Sequence, residues 1–428
     1  MRTGLCWVSL RSVAVVVALA GLMTVGFWGL TQPASHVAQA GTNATVLGDP
    51  LPNLTSLETT MFNTGDIPFS KQWDPLSGLG PGFTQVGCQV CHAIPVNGGV
   101  GNSSTASTLF AKINSDGSFN PLTNEGGMLL QPQSNQRFIA NCRIPGEVVP
   151  ADATIVATHQ APAVFGAGLI DNIPDSQILA NAVDKGMGVH GVPNMVTDEH
   201  GNFRVGHFGF KAQTADLLQI TALAEQHDLG VTNPLSPIED KPQGKSFPPA
   251  CSIPTEPNDN GTQMIAMYHY VLYLAPNTPG APNTNGQAQF INVGCALCHI
   301  PPGTSSSYTT TAGAIVPVNW PITKTMKSKA LSSQPVALYS DLLLHDLGGP
   351  DGDGIVIGFA TGTMYRTAPL WGLSLKLNNG VGLLHDGSAA DVPSALLKHG
   401  GEASTVISNF NALSAQDQAD LIAFISSL

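Results

Sequence analysis

Charged side chains are scarce in this sequence: Lys, Arg, Asp and Glu make up 11% of its 428 residues, against roughly 25% in an average soluble protein. With 43% hydrophobic residues, such a chain is not a coiled coil, a basic nucleic-acid-binding domain or a charge-driven disordered segment. Its 29 acidic residues outnumber 17 basic ones, so nucleic acid and anionic lipid are not expected as partners.

Several signals of regular structure and of common enzyme classes are missing as well. The sequence holds no phosphate-binding glycine motif, serine-hydrolase elbow or metalloprotease motif. It also has no convincing alternation of apolar and polar residues, the pattern typical of a β-strand. Its 46 glycines and 32 prolines are too many for a chain of long helices. We therefore expect a mainly α, loop-rich fold with helices at 214–227 and 264–274, and a last helix opened by Ser414 and Asp417.

The first forty residues have the composition of a secretory signal. Arg2 and Arg11 accompany an apolar run over residues 13–30, and Ala38 and Ala40 form a small-residue cleavage site. We expect residues 1–40 to be a signal peptide and the protein to be periplasmic or otherwise exported. Because this segment carries two basic and no acidic residues, its removal takes the formal net charge from −12 to −14. The apolar run exceeds the usual length of roughly 7–15 residues, so an uncleaved membrane anchor stays an open alternative.

Four of the six remaining cysteines form two Cys-x-x-Cys-His motifs, and these consist of Cys88, Cys91 and His92 and of Cys295, Cys298 and His299. This spacing suits covalent haem attachment, in which two thiols add to the haem vinyl groups and the histidine binds the iron. A four-cysteine zinc site would have its pairs about 15–20 residues apart, whereas these pairs are 207 apart. The sequence therefore predicts two covalently bound haem c groups.

Two mature cysteines, Cys142 and Cys251, belong to neither motif. In an oxidising compartment we expect a disulfide between them. Two buried free thiols are the alternative.

The surroundings of the two motifs repeat at a constant offset. Ala161 and Pro162 lie 70 and 71 residues after Cys91, and Ala368 and Pro369 lie equally far after Cys298. We interpret this as a duplication. It predicts two cytochrome c-like domains, each with one covalent haem: residues 41–280, with a helical insertion, and residues 281–428.

One difference between the repeats bears on chemistry. Met364 precedes the second Ala-Pro by four residues, where the first repeat has Ala157. A methionine thioether would close the far side of the second haem and raise its potential, whereas alanine leaves the first haem open or closed by another residue. Tyr365 is the second candidate for that ligand, and a packed core methionine is the alternative for Met364.

Six blocks of sequence resemble the di-haem oxidoreductase (putative peroxidase) family. The family is related to bacterial di-haem cytochrome c peroxidases and to the di-haem enzyme that matures methylamine dehydrogenase. The resemblance runs from about residue 70 to the C-terminus, and its blocks are 165–169, 206–212, 339–346, 365–372, 384–387 and 399–403.

The resemblance implies an enzyme that reduces hydrogen peroxide at the N-terminal haem with electrons relayed through the C-terminal haem. The donor would be a small periplasmic cytochrome or copper protein, and Met364, then Tyr365, would be the axial ligand of the second haem. Two alternatives remain: a non-catalytic di-haem electron-transfer cytochrome, and a maturation enzyme that oxidises a protein partner.

Two histidines are the candidate catalytic residues. His207 stands where the family commonly has arginine, and it could accept a proton or bind iron. His159 lies at the repeat position equivalent to Arg366, although a core or surface histidine is the plainer interpretation. His345 and His385 each precede an aspartate, and we expect both pairs to be structural turns.

A calcium ion is bound between the domains of peroxidase relatives, which makes one a candidate cofactor here. Residues 351–354, Asp-Gly-Asp-Gly, echo part of a calcium loop but lack its later glutamate. A plain turn is therefore the favoured interpretation of this segment.

Overall fold

The computed structural model describes residues 46–251, 257–281 and 283–428. The predicted signal peptide, residues 1–40, lies outside them. Within the described ranges, none of the helices has the length and apolar character that crossing a membrane requires.

The helices begin where the sequence supplies caps. Thr55 and Glu58 form a capping box before the first helix, and Ser414 accepts a hydrogen bond from the backbone of Asp417, which confirms the predicted start of the last. The described α-helices are α1 Ser56–Ser70, α2 Cys88–Cys91, α3 Ala167–Asp171, α4 Asp175–Ala180, α5 Leu217–Leu229, α6 Thr262–Tyr273, α7 Thr284–Asn292, α8 Leu373–Asn378, α9 Val392–Leu396, α10 Ser404–Asn411 and α11 Ala415–Ser426.

Short antiparallel strands tie the loops together. One sheet has the order β3-β2-β5, and the other described sheets are the pairs β1-β4, β6-β7, β8-β11, β9-β10 and β12-β13. The strands are β1 Gly82–Phe83, β2 Ser107–Ile113, β3 Phe119–Asn120, β4 Gln133–Ser134, β5 Ile155–His159, β6 Met195–Thr197, β7 Phe203–Val205, β8 Tyr308–Thr309, β9 Ile315–Pro317, β10 Thr325–Lys327, β11 Pro335–Val336, β12 Leu344–Asp346 and β13 Met364–Arg366.

The prediction of a mainly α fold is wrong. Helices account for 32% of the structure and strands for 14%, in several small sheets, and the architecture does not show two duplicated cytochrome c-like domains. All described strands except β2 and β5 have two or three residues. Such strands are too short to show the alternation of apolar and polar residues by which a strand is recognised in a sequence. The long strand β2 buries three consecutive residues, so its buried and exposed side chains do not alternate either. The boundary at residue 280 stays a prediction.

Two helix pairs organise the packing around the cysteine motifs. Helix α1 packs on α6, where Gly65 comes so close to the backbone of Ala266 that a larger side chain would collide with it. Helix α7 packs on α11 in the same manner through Gly286. The predicted bridge between Cys142 and Cys251 is present as a disulfide.

Candidate functional site

The first Cys-x-x-Cys-His motif lies beside the α1–α6 pair. Its cysteines delimit the single-turn helix α2. The Phe69 ring at the end of α1 stands 6.3 Å from the His92 ring, and Met267 Sδ on α6 lies 3.7 Å from Cys88 Sγ. Two helices far apart in sequence thus supply an apolar wall for this motif.

The second motif follows α7 after a sharp turn. Gly294 has φ 106°, a left-handed conformation that suits glycine, and it starts the 3-10 turn Cys295–Leu297. A side chain at Gly294 would meet the Met187 sulfur and Val406. The motif is therefore enclosed by two segments, around residues 187 and 406.

Both motif histidines are held by backbone carbonyls. His92 Nδ1 donates a hydrogen bond to the Pro162 oxygen at 2.9 Å, and His299 Nδ1 donates one to the Tyr339 oxygen at 3.0 Å. A carbonyl only accepts, so Nδ1 carries the proton and Nε2 keeps its lone pair. Burial lowers the pKa of both imidazoles, that of His299 to about 4. Each ring is thus neutral, with Nε2 available to iron, as is usual for a metal-binding histidine.

The motif cysteines are free thiols, because the disulfide uses Cys142 and Cys251 instead. Burial raises the pKa of the Cys91 and Cys295 thiols to about 12. Each motif therefore presents two free thiols next to an imidazole with an available nitrogen. This donor set fits a covalently attached haem c.

Met364 lies in the neighbourhood of the second motif. It lines a cavity of about 520 Å³ together with His190 and Glu402. Glu402 Oε2 is 2.8 Å from His345 Nδ1, which is 3.6 Å from Cys298 Sγ. Glu402 in the cavity wall is thus linked to Cys298 through the side chain of His345.

Tyr365 makes its contacts elsewhere. Its ring stacks on the His385 ring at 4.7 Å, and its hydroxyl donates to the Asp351 oxygen at 2.8 Å. Successive side chains of a strand point to opposite faces, so β13 separates Met364 from Tyr365. Of the two predicted axial residues, only Met364 lines the cavity.

His159 belongs to a buried ionic cluster. Its Nε2 donates to Asp353 Oδ2 at 2.9 Å, and the other carboxylate oxygen lies 3.1 Å from Lys211 Nζ. Burial lowers the pKa of His159, so its ring is neutral and Nδ1 holds the lone pair. Burial alone would raise the pKa of Asp353, but its bonds with His159 and Lys211 keep it lowered. This arrangement orients His159 as a proton acceptor.

His207 has a different environment. It is fully buried, with Nε2 3.2 Å from Asp175 Oδ1 and Nδ1 3.3 Å from the Ile170 oxygen. Arg204 pairs with the same carboxylate at 2.8 Å. These contacts attach strand β7 to the start of α4, and they place His207 in a different network from His159.

Three of the sequence blocks meet around His159. They are 206–212, 365–372 and 384–387, and they contribute Lys211, Tyr365 and His385 to what we call the His159 cluster. This cluster consists of His159, Lys211, Asp353, Tyr365 and His385. The sequence did not single out Lys211, although this residue lies in block 206–212, and Asp353 was noted only as part of the turn at residues 351–354. The available signal was a lysine that directly follows Phe208, Gly209 and Phe210.

The ligand atoms of His159, Asp353 and His385 lie within 4.8 Å of one another. The buried Lys211 ammonium already balances the Asp353 carboxylate there. Asp353 is thus engaged with protein partners, and calcium stays a prediction.

Comparisons with known proteins agree with the resemblance seen in the sequence. No curated protein matches the chain. A hydrazine synthase chain from Kuenenia stuttgartiensis aligns over 92% of this chain and 98% of its own, with 14% identity and a TM-score of 0.38, too low for any argument. The family model for di-haem oxidoreductases matches residues 146–428, about two thirds of the chain and including the second motif. The protein is therefore a member of the family described as di-haem oxidoreductase, putative peroxidase.

Proposed function

We propose that the protein is an exported di-haem c oxidoreductase that reduces hydrogen peroxide. Peroxide would react at the haem on Cys88 and Cys91, with electrons supplied through the haem on Cys295 and Cys298. The observation that carries this proposal is the pair of motifs in which both thiols are free and a backbone carbonyl leaves each histidine Nε2 available. A bound haem would supply one-electron chemistry at its iron.

The difference between the surroundings of the two motifs supports different roles for the two haems, electron transfer at the second and reaction with peroxide at the first. Met364 lines the cavity linked to Cys298, and a thioether ligand there would suit electron transfer. The equivalent Ala157 is buried in β5 opposite Leu109 and offers no donor atom in its side chain. Met364 is therefore our proposed ligand for the second iron, and the side chain of Ala157 would leave the first haem accessible to peroxide.

His159 is our proposed proton acceptor for the peroxide step. Asp353 fixes its tautomer, and Lys211 fixes Asp353. The chain just beyond it approaches the first motif, since Gly101 donates to the Ala161 oxygen and packs against the Cys91 carbonyl. His207 remains a predicted catalytic residue, although its contacts with Asp175 and Ile170 support a structural role better.

The proposed electron donor is a small periplasmic cytochrome or copper protein. The acidic chain, with net charge −12 before signal removal, favours a partner whose docking face is basic.

The ferric spectrum of the purified full-length holoprotein tests the proposed function. We expect one high-spin haem that binds cyanide and one low-spin haem that does not, because in this proposal only the second haem would take a side-chain ligand, Met364, in addition to its motif histidine. Absorption and EPR spectra with and without cyanide provide the measurement. Two low-spin haems that ignore peroxide in every redox state would identify an electron-transfer cytochrome instead. Peroxide-dependent oxidation of another protein would indicate a maturation enzyme.

The Met364→Ala variant should lower the potential of one haem and leave the other unchanged, since loss of a thioether favours ferric iron. We expect at least a tenfold change in the ratio of reduced to oxidised haem, about 59 mV for a one-electron couple. Spectroelectrochemical titration measures both potentials in one sample. The matched control is Met326→Ala in β10, which should alter neither potential. An unaltered titration of Met364→Ala would exclude Met364 as a ligand.

A further inference from the structure

A buried network of four charged side chains adjoins the second motif. We call it the His345 network, and it consists of Lys185, Asp341, His345 and Glu402. His345 lies between two carboxylates, with Nε2 2.9 Å from Asp341 Oδ2 and Nδ1 2.8 Å from Glu402 Oε2. Lys185 Nζ lies 2.7 Å from Asp341 Oδ2. Asp341, His345 and Glu402 belong to two sequence blocks, 339–346 and 399–403. The proposed peroxide reduction assigns no role to these three side chains.

The geometry fixes His345 as a cation. An ionised carboxylate can only accept a hydrogen bond, so each ring nitrogen of His345 must carry a proton to satisfy its partner. Both carboxylates are anchored independently, because Asp341 Oδ1 accepts from the Leu343 amide and Glu402 Oε2 accepts from the His190 amide. The His345 side chain is only 3% exposed, so its charge is weakly screened by salt.

This cation touches the haem attachment point. His345 Nδ1 lies 3.6 Å from Cys298 Sγ, and Lys185 Nζ donates to the Leu297 oxygen at 2.7 Å. Through these two contacts the network binds two adjacent residues of the motif, Leu297 and Cys298. A thioether at Cys298 would join the haem periphery to the sulfur that His345 contacts, so the imidazolium would stand at the haem edge.

We propose that the His345 network sets the reduction potential of the C-terminal haem, with His345 as its positioning residue. The proposal rests on haem attachment at Cys295 and Cys298 in the proposed function. Reduction adds one electron to the iron and lowers the charge of the haem. A nearby fixed cation therefore favours the reduced state, and a nearby carboxylate favours the oxidised state.

Two substitutions with opposite expected signs test the proposal on the full-length holoprotein. His345→Gln removes the cation and should lower the potential of the C-terminal haem. Glu402→Gln removes an anion, while Asp341 continues to hold the His345 proton, and should raise it. For each variant we expect at least a tenfold change in the ratio of reduced to oxidised haem at a fixed applied potential, and no change at the N-terminal haem. Spectroelectrochemical titration separates the two haems.

Two further variants separate charge from structure. His345→Lys keeps a cation and should return the potential towards that of the wild type. His269→Gln removes another buried imidazole, whose Nε2 bonds the Pro317 carbonyl rather than a carboxylate, and should alter neither potential. If His345→Gln fails to fold, Glu402→Gln still decides the question, because it keeps His345 in place.

Shifts of the same sign in His345→Gln and Glu402→Gln, or no shift, would overturn the proposal. The covalent haem content of the wild type, measured as its pyridine haemochrome, distinguishes this failure from that of the proposed function. Two haems per chain with no opposed shifts would refute the role of His345 alone. Fewer than two haems per chain would refute the proposed function, and the absence of the haem on Cys295 and Cys298 would refute both proposals.

Discussion

Replacing both Cys88 and Cys91 with serine is expected to halve the covalently bound haem, from two groups per chain to one, and to abolish peroxide reduction. Serine hydroxyls do not add to the haem vinyl groups, and the Nε2 of His92 cannot by itself retain haem in the way that two thioethers do. Pyridine haemochrome analysis and the intact mass of the protein measure the loss. The helix pair α1–α6 carries its own packing, so the remainder of the protein should still hold the second haem.

The matched control replaces Cys295 and Cys298 with serine. This variant should also lose one haem, but the haem it keeps should be the high-spin, cyanide-binding one. Equal spectra for the two double variants would contradict the division between the two motifs. Retention of both haems by either variant would contradict covalent attachment at that motif.

The Lys211→Met variant should destabilise the protein by about 3–5 kcal/mol, the usual cost of leaving a buried charge without its partner. Lys211 and Asp353 are both fully buried, and the three ammonium protons of Lys211 are used by Asp353 and by the carbonyls of Thr361 and Met364. Removing the ammonium would leave the Asp353 carboxylate buried without a cation, although the neutral His159 ring would still donate to it. Urea unfolding measures the change as a lower midpoint at an unchanged slope.

The control for this variant is Lys112→Met. Lys112 pairs with Asp152 at 2.8 Å, but the two side chains are 32% and 46% exposed, and such surface pairs contribute about 0–1 kcal/mol. Adding Asp353→Leu to Lys211→Met should recover part of the lost stability, since no unpaired charge remains. Peroxide reduction by that double variant should remain slower than in the wild type, because His159 has lost its orienting carboxylate. A loss below about 1 kcal/mol in Lys211→Met would show that the pair is not as buried as described.

The features that the sequence predicted correctly depend on neighbours in the chain. The Cys-x-x-Cys-His spacing places thiols and imidazole within one turn, and Ser414 caps its helix through a residue three positions away. The disulfide is the exception, because Cys142 and Cys251 are 109 residues apart. It followed from counting the cysteines outside the two motifs and from the expectation of an oxidising compartment. The family membership followed from six blocks of local sequence, and the match over residues 146–428 confirms it.

The incorrect or missed features depend on residues far apart. Lys211 meets Asp353 from 142 positions away, and His345 meets Glu402 from 57 positions away, so no local pattern joins either pair. The expectation that His345 and His385 pair with the aspartates after them in structural turns was incomplete. Those aspartates accept bonds from backbone amides two residues on, but the imidazoles turn towards the two buried clusters.

The carbonyl partners of His92 and His299 also affect how this protein can evolve. The acceptors at residues 162 and 339 belong to the main chain, so no change of side chain at those positions deletes them. The tautomer of each motif histidine is thereby independent of the side chains at its acceptor positions. In the proposed function the distal sides would depend on the side chains of Met364 and His159, each replaceable by a single substitution. Under the proposed function, chemistry could therefore diverge among descendants of this chain through the distal residues, while both histidines retain the tautomer with a free Nε2.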